Sequence, residues 1–338
     1  MSLKLSFIIP CYNVEKFIQH CLDSILAVQL REDEYEVLCF NDGSKDSTPQ
    51  ILDRYAEFHA NIHVFHSSQN VGMSKGRNNL INHSKGEYVW FVDSDDSICS
   101  ENVPTLLNIA ESGNLDVLAF NYNEINEAGI VVKTCKFFGE TRITSGIDFV
   151  KSVFKNQLTN HIGFVWRFLY RREYLLTNNI LFPEGNWEDT LYMPKAMILA
   201  NKIQSTFIVG YEYRHHQSSI CRTMEKKYPG QWVYEYSFVA GYDLLQFANT
   251  IDDEYLKMQI CSISAEYFNW FPPYLCRSGY RERNVFYRSI RENYEERVIP
   301  LWQYLNFVPR LFLLPYIGRF FAECAALVYV IKHYCIKK

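Results

Sequence analysis

"YVWFVDSDDS", residues 88–97, decides how the chain is to be read. Tyr88 to Val92 are aromatic or β-branched and uncharged, the composition of a strand buried on both faces. Asp93, Asp95 and Asp96 follow directly, where such a strand surfaces. Carboxylates that close repel one another unless protons or a cation compensate them. A site for positive charge at the end of a central strand is therefore the first expectation.

The segments on either side give that strand a context. "KLSFIIP" (4–10), "YEVLCF" (35–40), "IHVFH" (62–66), "EYVWFV" (87–92) and "LDVLAF" (115–120) read as strands. Between them, "EKFIQHCLDSILAV" (15–28) carries a helical stripe of Phe17, Ile18, Cys21, Leu22, Ile25 and Leu26. "TPQILDRYAEFH" (48–59), "SKGRNNLINHS" (74–84) and "ENVPTLLNIAES" (101–112) complete the alternation, with Ser47 and Ser74 expected to cap the first two. Strands alternating with helices of this length predict an α/β fold, its mostly parallel sheet covered on both faces. Ligands of such sheets bind beyond the carboxyl ends of the strands. "PCYN", "NDGSKD", "SSQNVG" and "DSDDS" fall at four of those ends and outline one pocket.

After residue 121 the alternation decays. "WRFLYRREYLLTNN" (166–179) is expected to be helical, "GNWEDTLYMPKAMILANK" (185–202) a loop and helix, and "STFIVGYEYR" (205–214) a strand. Residues 231–300 are helical by period. The expected organisation is an α/β domain over 1–225 and a mainly helical region over 226–338.

Of the 338 residues, 48% are hydrophobic and 21% charged, enough for a large core. The net charge of −4 gives no reason to expect a nucleic-acid binder. The ten cysteines lack C-x-x-C and zinc-site spacing, and residues 1–4 lead straight into "LSFII" without a charged leader. A cytoplasmic protein with free thiols is expected. No run of 18 uncharged apolar residues is present to span a bilayer. The tail, residues 301–338, holds nine aromatics, five Lys or Arg and one acid, Glu323. It fits either a helix lying in a membrane interface or one packed on protein.

Several chemistries fit "DSDD". An Asp-capped turn needs nothing more. An EF-hand loop fails, because Ile98 and Pro104 stand where Gly and Glu are required. A phosphotransferase with Asp93 as nucleophile and Asp95 as acid fits locally and resembles the haloacid dehalogenases. Their D-x-D, however, ends the first strand, and this one ends the fourth. A divalent cation held by one or two carboxylates plus substrate phosphates answers the repulsion directly.

"SFIIPCYNVEKFI", "FNDGSKDST", "NVGMSKGRN", "GEYVWFVDSDD" and "NWED", in that order over residues 6–189, resemble the motifs of family 2 glycosyltransferases. The resemblance implies a GT-A fold, a Rossmann-like, mostly parallel sheet flanked by helices. It also implies an inverting transferase using a nucleotide-diphosphate sugar, a UDP-sugar first, with Mn2+ or Mg2+. Pro10, Tyr12 and Asn13 would line the base pocket and Asp42 would accept a hydrogen bond from the base, although "NDGS" also suits an ordinary turn. Asn70, Gly72 and Arg77 would serve the nucleotide, with Arg77 reaching either phosphate or Asp93. The family's acidic motif aligns either as Asp93-x-Asp95 or as Asp95–Asp96, one Asp meeting the ribose and another the metal. With Asp95 as the central residue, Asp93 and Ser94 would bind the nucleotide sugar and Asp95 and Asp96 the metal. Asp189 would be the catalytic base and Glu188 its acceptor-side neighbour, in positions that a helix N-terminus also favours for acids. In "YEYRHHQSSI" (211–220), His216 would face diphosphate or metal, while His215 is expected to be solvated. The implied acceptor is a glycan or lipid-linked saccharide, in surface polysaccharide assembly at the inner face of the cytoplasmic membrane. An inactive nucleotide-sugar-binding partner is the non-enzymatic alternative.

Overall fold

The predicted strand at the start of "YVWFVDSDDS" is β4 (Tyr88–Phe91), and all four of its residues are fully buried. In this computed structural model the residues described are 3–136, 141–155, 163–184, 188–216, 240–269 and 287–288. β1 (Leu5–Cys11) pairs in parallel with β4 on one side and with β2 (Tyr35–Asn41) on the other, and β2 pairs in parallel with β3 (Ile62–His66). Helices α1 (Ile18–Leu26), α2 (Thr48–Phe58) and α3 (Met73–His83) connect these strands. Four strands running the same way put "PCYN", "NDGSKD", "SSQNVG" and "DSDDS" at one edge of the sheet.

Beyond β4 the sheet changes character. β5 (Ser97–Ile98) leads to α4 (Val103–Gly113), β6 (Val117–Ile125) and β7 (Val131–Cys135). After α5 (Gly146–Lys155) come β8 (Phe168–Arg171), α6 (Arg172–Thr177), α7 (Glu188–Ile198) and β9 (Ile203–Arg214). The sheet order is β3-β2-β1-β4-β8-β6-β9-β5, with β7 paired to β6. β8 is antiparallel to both β4 and β6, whereas β9 returns parallel to β6. The core is continuous across this join: Phe7 stacks on Trp90 at 5.7 Å, and Trp90 meets Phe120 edge-on at 4.9 Å. Each such buried aromatic contributes about 1.5–3 kcal/mol relative to exposure.

Local expectations fail in three places. The helix expected over 166–179 is a short 3-10 turn (Val165–Arg167), strand β8 and helix α6. Val165 to Tyr170 are buried without a break, which suits a strand flanked on both edges and not a one-sided helix. Ser74 is buried inside α3, whose N-cap is Gly72 at φ 93°. Ser47 does precede α2, but its side chain makes no capping hydrogen bond; Asp46 Oδ1 accepts from Thr48 N–H instead, at 3.0 Å.

The chain divides into two compact units, Met1–His216 and Gln217–Lys338. In the second, helices Ala240–Ala248 and Glu254–Asn269 are joined by a buried bond from Ser264 Oγ to the Gly241 carbonyl. Among the described residues no helix is long and apolar enough to cross a membrane. The tail 301–338, with both readings of it, lies outside the described residues.

Candidate functional site

The loops at the carboxyl edge are tied to one another. Asn13 takes a left-handed conformation (φ 53°) just after β1, where Asn pays less than other residues. Its Oδ1 accepts from Lys45 N–H at 2.8 Å, and its own N–H donates to Ser44 Oγ at 3.0 Å. Asp42, buried, accepts from the Val71 and Gly72 N–H groups at 2.6 and 2.9 Å. Its carboxylate thus fixes "NVG" against "NDG", where Gly43 (φ 69°) has no room for a Cβ, which would lie 2.7 Å from Gln69 C. Pro10 is half-buried, Asn70 exposed, and the Tyr12 ring 47% exposed at the mouth of this edge. Space around Gly72 is open.

The acidic turn closes through a bond from Asp96 N–H to the Asp93 carbonyl, 3.1 Å. Its three acids diverge. Asp93 Oδ1 accepts from Arg77 Nη2 at 2.9 Å. Asp95 is about one-third exposed, and its Oδ2 lies 2.8 Å from His216 Nε2. Asp96, expected beside Asp95 as a metal ligand, is instead turned inward and 1% exposed. Its Oδ1 accepts from Arg214 N–H at 2.7 Å and its Oδ2 from the Tyr211 hydroxyl at 2.8 Å. Ser94 is buried between these acids.

Arg77 connects the turn to the second acidic pair. The guanidinium is 1% exposed, lies 5.0 Å from the centre of the Phe182 ring, and donates through Nη1 to Glu188 Oε1 (2.7 Å) and Asp189 Oδ1 (3.0 Å). Of the two partners the sequence left open for Arg77, phosphate or Asp93, the fold supplies Asp93. Burial opposes its charge, but Asp189, Asp93 and Glu188 outweigh that and raise its pKa. Glu188 and Asp189 occupy the first turn of α7, where the helix dipole favours acids, and Asp189 Oδ2 also lies 3.4 Å from Val165 N–H. Burial raises Asp189 to about 8 against the pull of Arg77, with Glu188 and Asp93 adding to the rise. Asp93 is raised to about 6, again chiefly by burial.

Three carboxylates, Asp93, Glu188 and Asp189, thus share one guanidinium, with Asp95 beside Asp93 on the turn, and the excess negative charge favours a cation. Among the described residues no three His, Cys, Asp or Glu side chains gather as a closed metal cage. Asp95 offers an oxygen donor that suits Mn2+ or Mg2+ completed by substrate phosphate oxygens, and His216 beside it a nitrogen donor, which suits Mg2+ less. His215 is not solvated as expected: its Nε2 lies 3.0 Å from Glu124 Oε2 on β6.

Sequence reading missed Tyr211, Arg214, Phe182 and the Val165 amide. "YEYR" was visible as a segment, but partners more than 110 positions away in the chain carry no local signal.

A profile of the family described as "Glycosyl transferase family 2" matches residues 6–177. The chain is 32% identical over 219 residues to "Uncharacterized glycosyltransferase EpsJ" of Bacillus subtilis, covering 64% of this chain and 62% of that protein. It is 32% identical over 216 residues to the poly(ribitol-phosphate) beta-N-acetylglucosaminyltransferase TarS of Staphylococcus aureus, covering 62% of this chain and 35% of TarS. The chain therefore spans less than two thirds of the length of either relative. A crystal structure of S. aureus TarS 1–349 in complex with UDP-GlcNAc superposes with a TM-score of 0.76 at 23% identity, over 98% of this chain and 93% of that one. That likeness is one of fold, and the fold is GT-A. With the ordered motifs assembled at one sheet edge and the profile covering half its length, the chain belongs to glycosyl transferase family 2.

Proposed function

We propose that this protein is an inverting glycosyltransferase that moves a sugar from a nucleotide-diphosphate donor, a UDP-sugar first, to a hydroxyl of a glycan or lipid-linked acceptor. The observation that carries the reading is the single buried Arg77 joining Asp93 of the β4 turn to Glu188 and Asp189 of α7. It gives one crevice acids for the donor and a separate acid pair for the acceptor.

Asp189 takes the proton of the acceptor hydroxyl as its oxygen bonds to the anomeric carbon. The bond from that carbon to the diphosphate breaks, and its electron pair leaves with the diphosphate. A base raised to about 8 by burial is poised near working pH, where proton transfer is most effective. Glu188 contacts the acceptor, and Arg77 keeps both acids in place. Tyr12 stacks on the base with Pro10 and Asn13 beside it, Asp42 shapes the base pocket, and Asn70 and Gly72 let backbone approach the nucleotide. Asp93 and Ser94 stand at the ribose side. Asp95, with His216 beside it, would hold a Mn2+ or Mg2+ ion, which would supply positive charge to the leaving diphosphate.

A relative named for N-acetylglucosaminyl transfer and poly(ribitol-phosphate) supports a polymeric acceptor, in keeping with surface polysaccharide assembly, and we place the transfer chemistry in residues 1–225. Residues 301–338, basic and aromatic, would hold the enzyme at the inner face of the membrane beside a lipid-linked acceptor; flotation with anionic vesicles, with and without the tail, tests this. The phosphotransferase reading has no support from the family, and an inactive binder has no use for an acceptor-side base.

The test is a panel of nucleotide sugars with and without Mn2+, scored by thermal protection and by release of the nucleoside diphosphate. A ligand at 100 times its Kd adds about 2.7 kcal/mol of stability, which a melting curve resolves. Protection by one UDP-sugar with Mn2+-dependent release is expected. Protection without release for every sugar would favour the inactive binder, and an aspartyl-phosphate at Asp93 the phosphotransferase.

A further inference from the structure

We propose that Tyr211 is the positioning residue of the acidic turn, its one hydroxyl setting which carboxylate faces the crevice. This rests on the donor-side reading given above. Tyr211 is fully buried on β9, and its ring lies flat against Trp166, with centroids 4.3 Å apart and planes 10° from parallel. The hydroxyl uses both its capacities on the turn: it accepts from Asp93 N–H at 3.0 Å and donates to Asp96 Oδ2 at 2.8 Å. It therefore binds the first and last residues of "DSDD" at once. Arg214, on the same strand, adds its N–H to Asp96 Oδ1, and Ile98 of β5 is register partner to Tyr211.

With Asp96 held inward, Asp95 is the member of the adjacent pair left at the crevice, beside His216. Burial, with Asp96 and Asp93 nearby, keeps the phenol in its protonated, donating form. The aromatic contact has a second consequence. Trp166 directly follows Val165, whose N–H lies 3.4 Å from Asp189, so the surface that clamps Tyr211 adjoins the backbone beside the acceptor-side acid.

Tyr211→Phe keeps the ring and removes both hydrogen bonds. Tyr174→Phe, which removes a buried bond to the Ala196 carbonyl, is the matched control. Amide exchange of Asp93 reads the turn directly, and electron paramagnetic resonance of free Mn2+ beside UDP reads metal uptake. In folded Tyr211→Phe, Asp93 exchange is expected to accelerate about tenfold or more. Half-saturation by Mn2+ should rise roughly tenfold, as for other groups that orient a ligand, with kcat at saturating metal nearly kept. Tyr174→Phe should change neither. Asp93 exchange at the parent rate overturns the proposal, as does an unchanged Mn2+ half-saturation. If the parent takes up no Mn2+ beside UDP, the metal reading fails; amide exchange then decides alone, faster exchange supporting the positioning role and parent-rate exchange ending it. Should Tyr211→Phe not accumulate folded, Asp96→Asn weakens the same bond and should shift Asp93 exchange in the same direction, with no shift counting against the proposal.

Discussion

The two acidic clusters of the site are held in different ways. The β4 turn is fixed by its own Asp96-to-Asp93 bond and by bonds from Tyr211 and Arg214. The acid pair of α7 depends on one guanidinium, from Arg77, plus a single long bond from Val165 to Asp189. The first is a scaffold of neutral and backbone contacts, with the Tyr211 hydroxyl bridging its two ends and Arg77 adding one ion pair at Asp93. The second is a charge balance, in which losing the buried cation leaves half-buried carboxylates facing one another. On the proposed mechanism, positioning a donor and raising the pKa of a base call for both.

The largest effect expected falls on the α7 pair. Asp189→Asn keeps the shape and removes the base, so kcat should fall about 10²- to 10⁴-fold, with nucleotide binding retained in a thermal-shift assay. The parent's kcat/KM should rise with pH as Asp189 loses its proton near about 8 and decline on the acid side. A rate flat from pH 6 to 9 (about two units below and one above that point) removes Asp189 as the titrating base. Arg77→Met tests the charge balance: with its cation gone the trio of acids should cost about 3–5 kcal/mol of folding stability in urea titrations. A loss under about 1 kcal/mol would show that the acids do not depend on their cation. The smallest effect belongs to the exposed mouth. Tyr12→Ala should weaken UDP by about 1–3 kcal/mol through lost stacking, seen by calorimetry, and leave the melting temperature of the free protein nearly unchanged.

The parallel half of the sheet was legible because its signals are local. Period, turn residues and short connections all lie within a few positions of one another, and β1 to β4 with α1 to α3 follow them closely. The antiparallel half was legible in part: β6, β9, α4 and α7 follow the sequence pattern, but β8 does not. β8 reads like a helix until its neighbours β4 and β6 are known, since an unbroken apolar run satisfies either geometry. The same limit applied to the acids: their clustering was visible, but not that Asp96 turns inward or that Arg77 reaches two sites.

By itself, then, the sequence determined the family, the GT-A class, and which loops meet at the carboxyl edge. Those follow from local pattern and from the shared direction of parallel strands. Only the tertiary structure decided the partner of each charge. Arg77 meets Glu188 and Asp189 from 111 and 112 positions away, and Tyr211 meets Asp93 from 118. Hydrogen bonds of that span are selected by packing and burial, where an unpaired charge costs several kcal/mol, and no short stretch of chain encodes them.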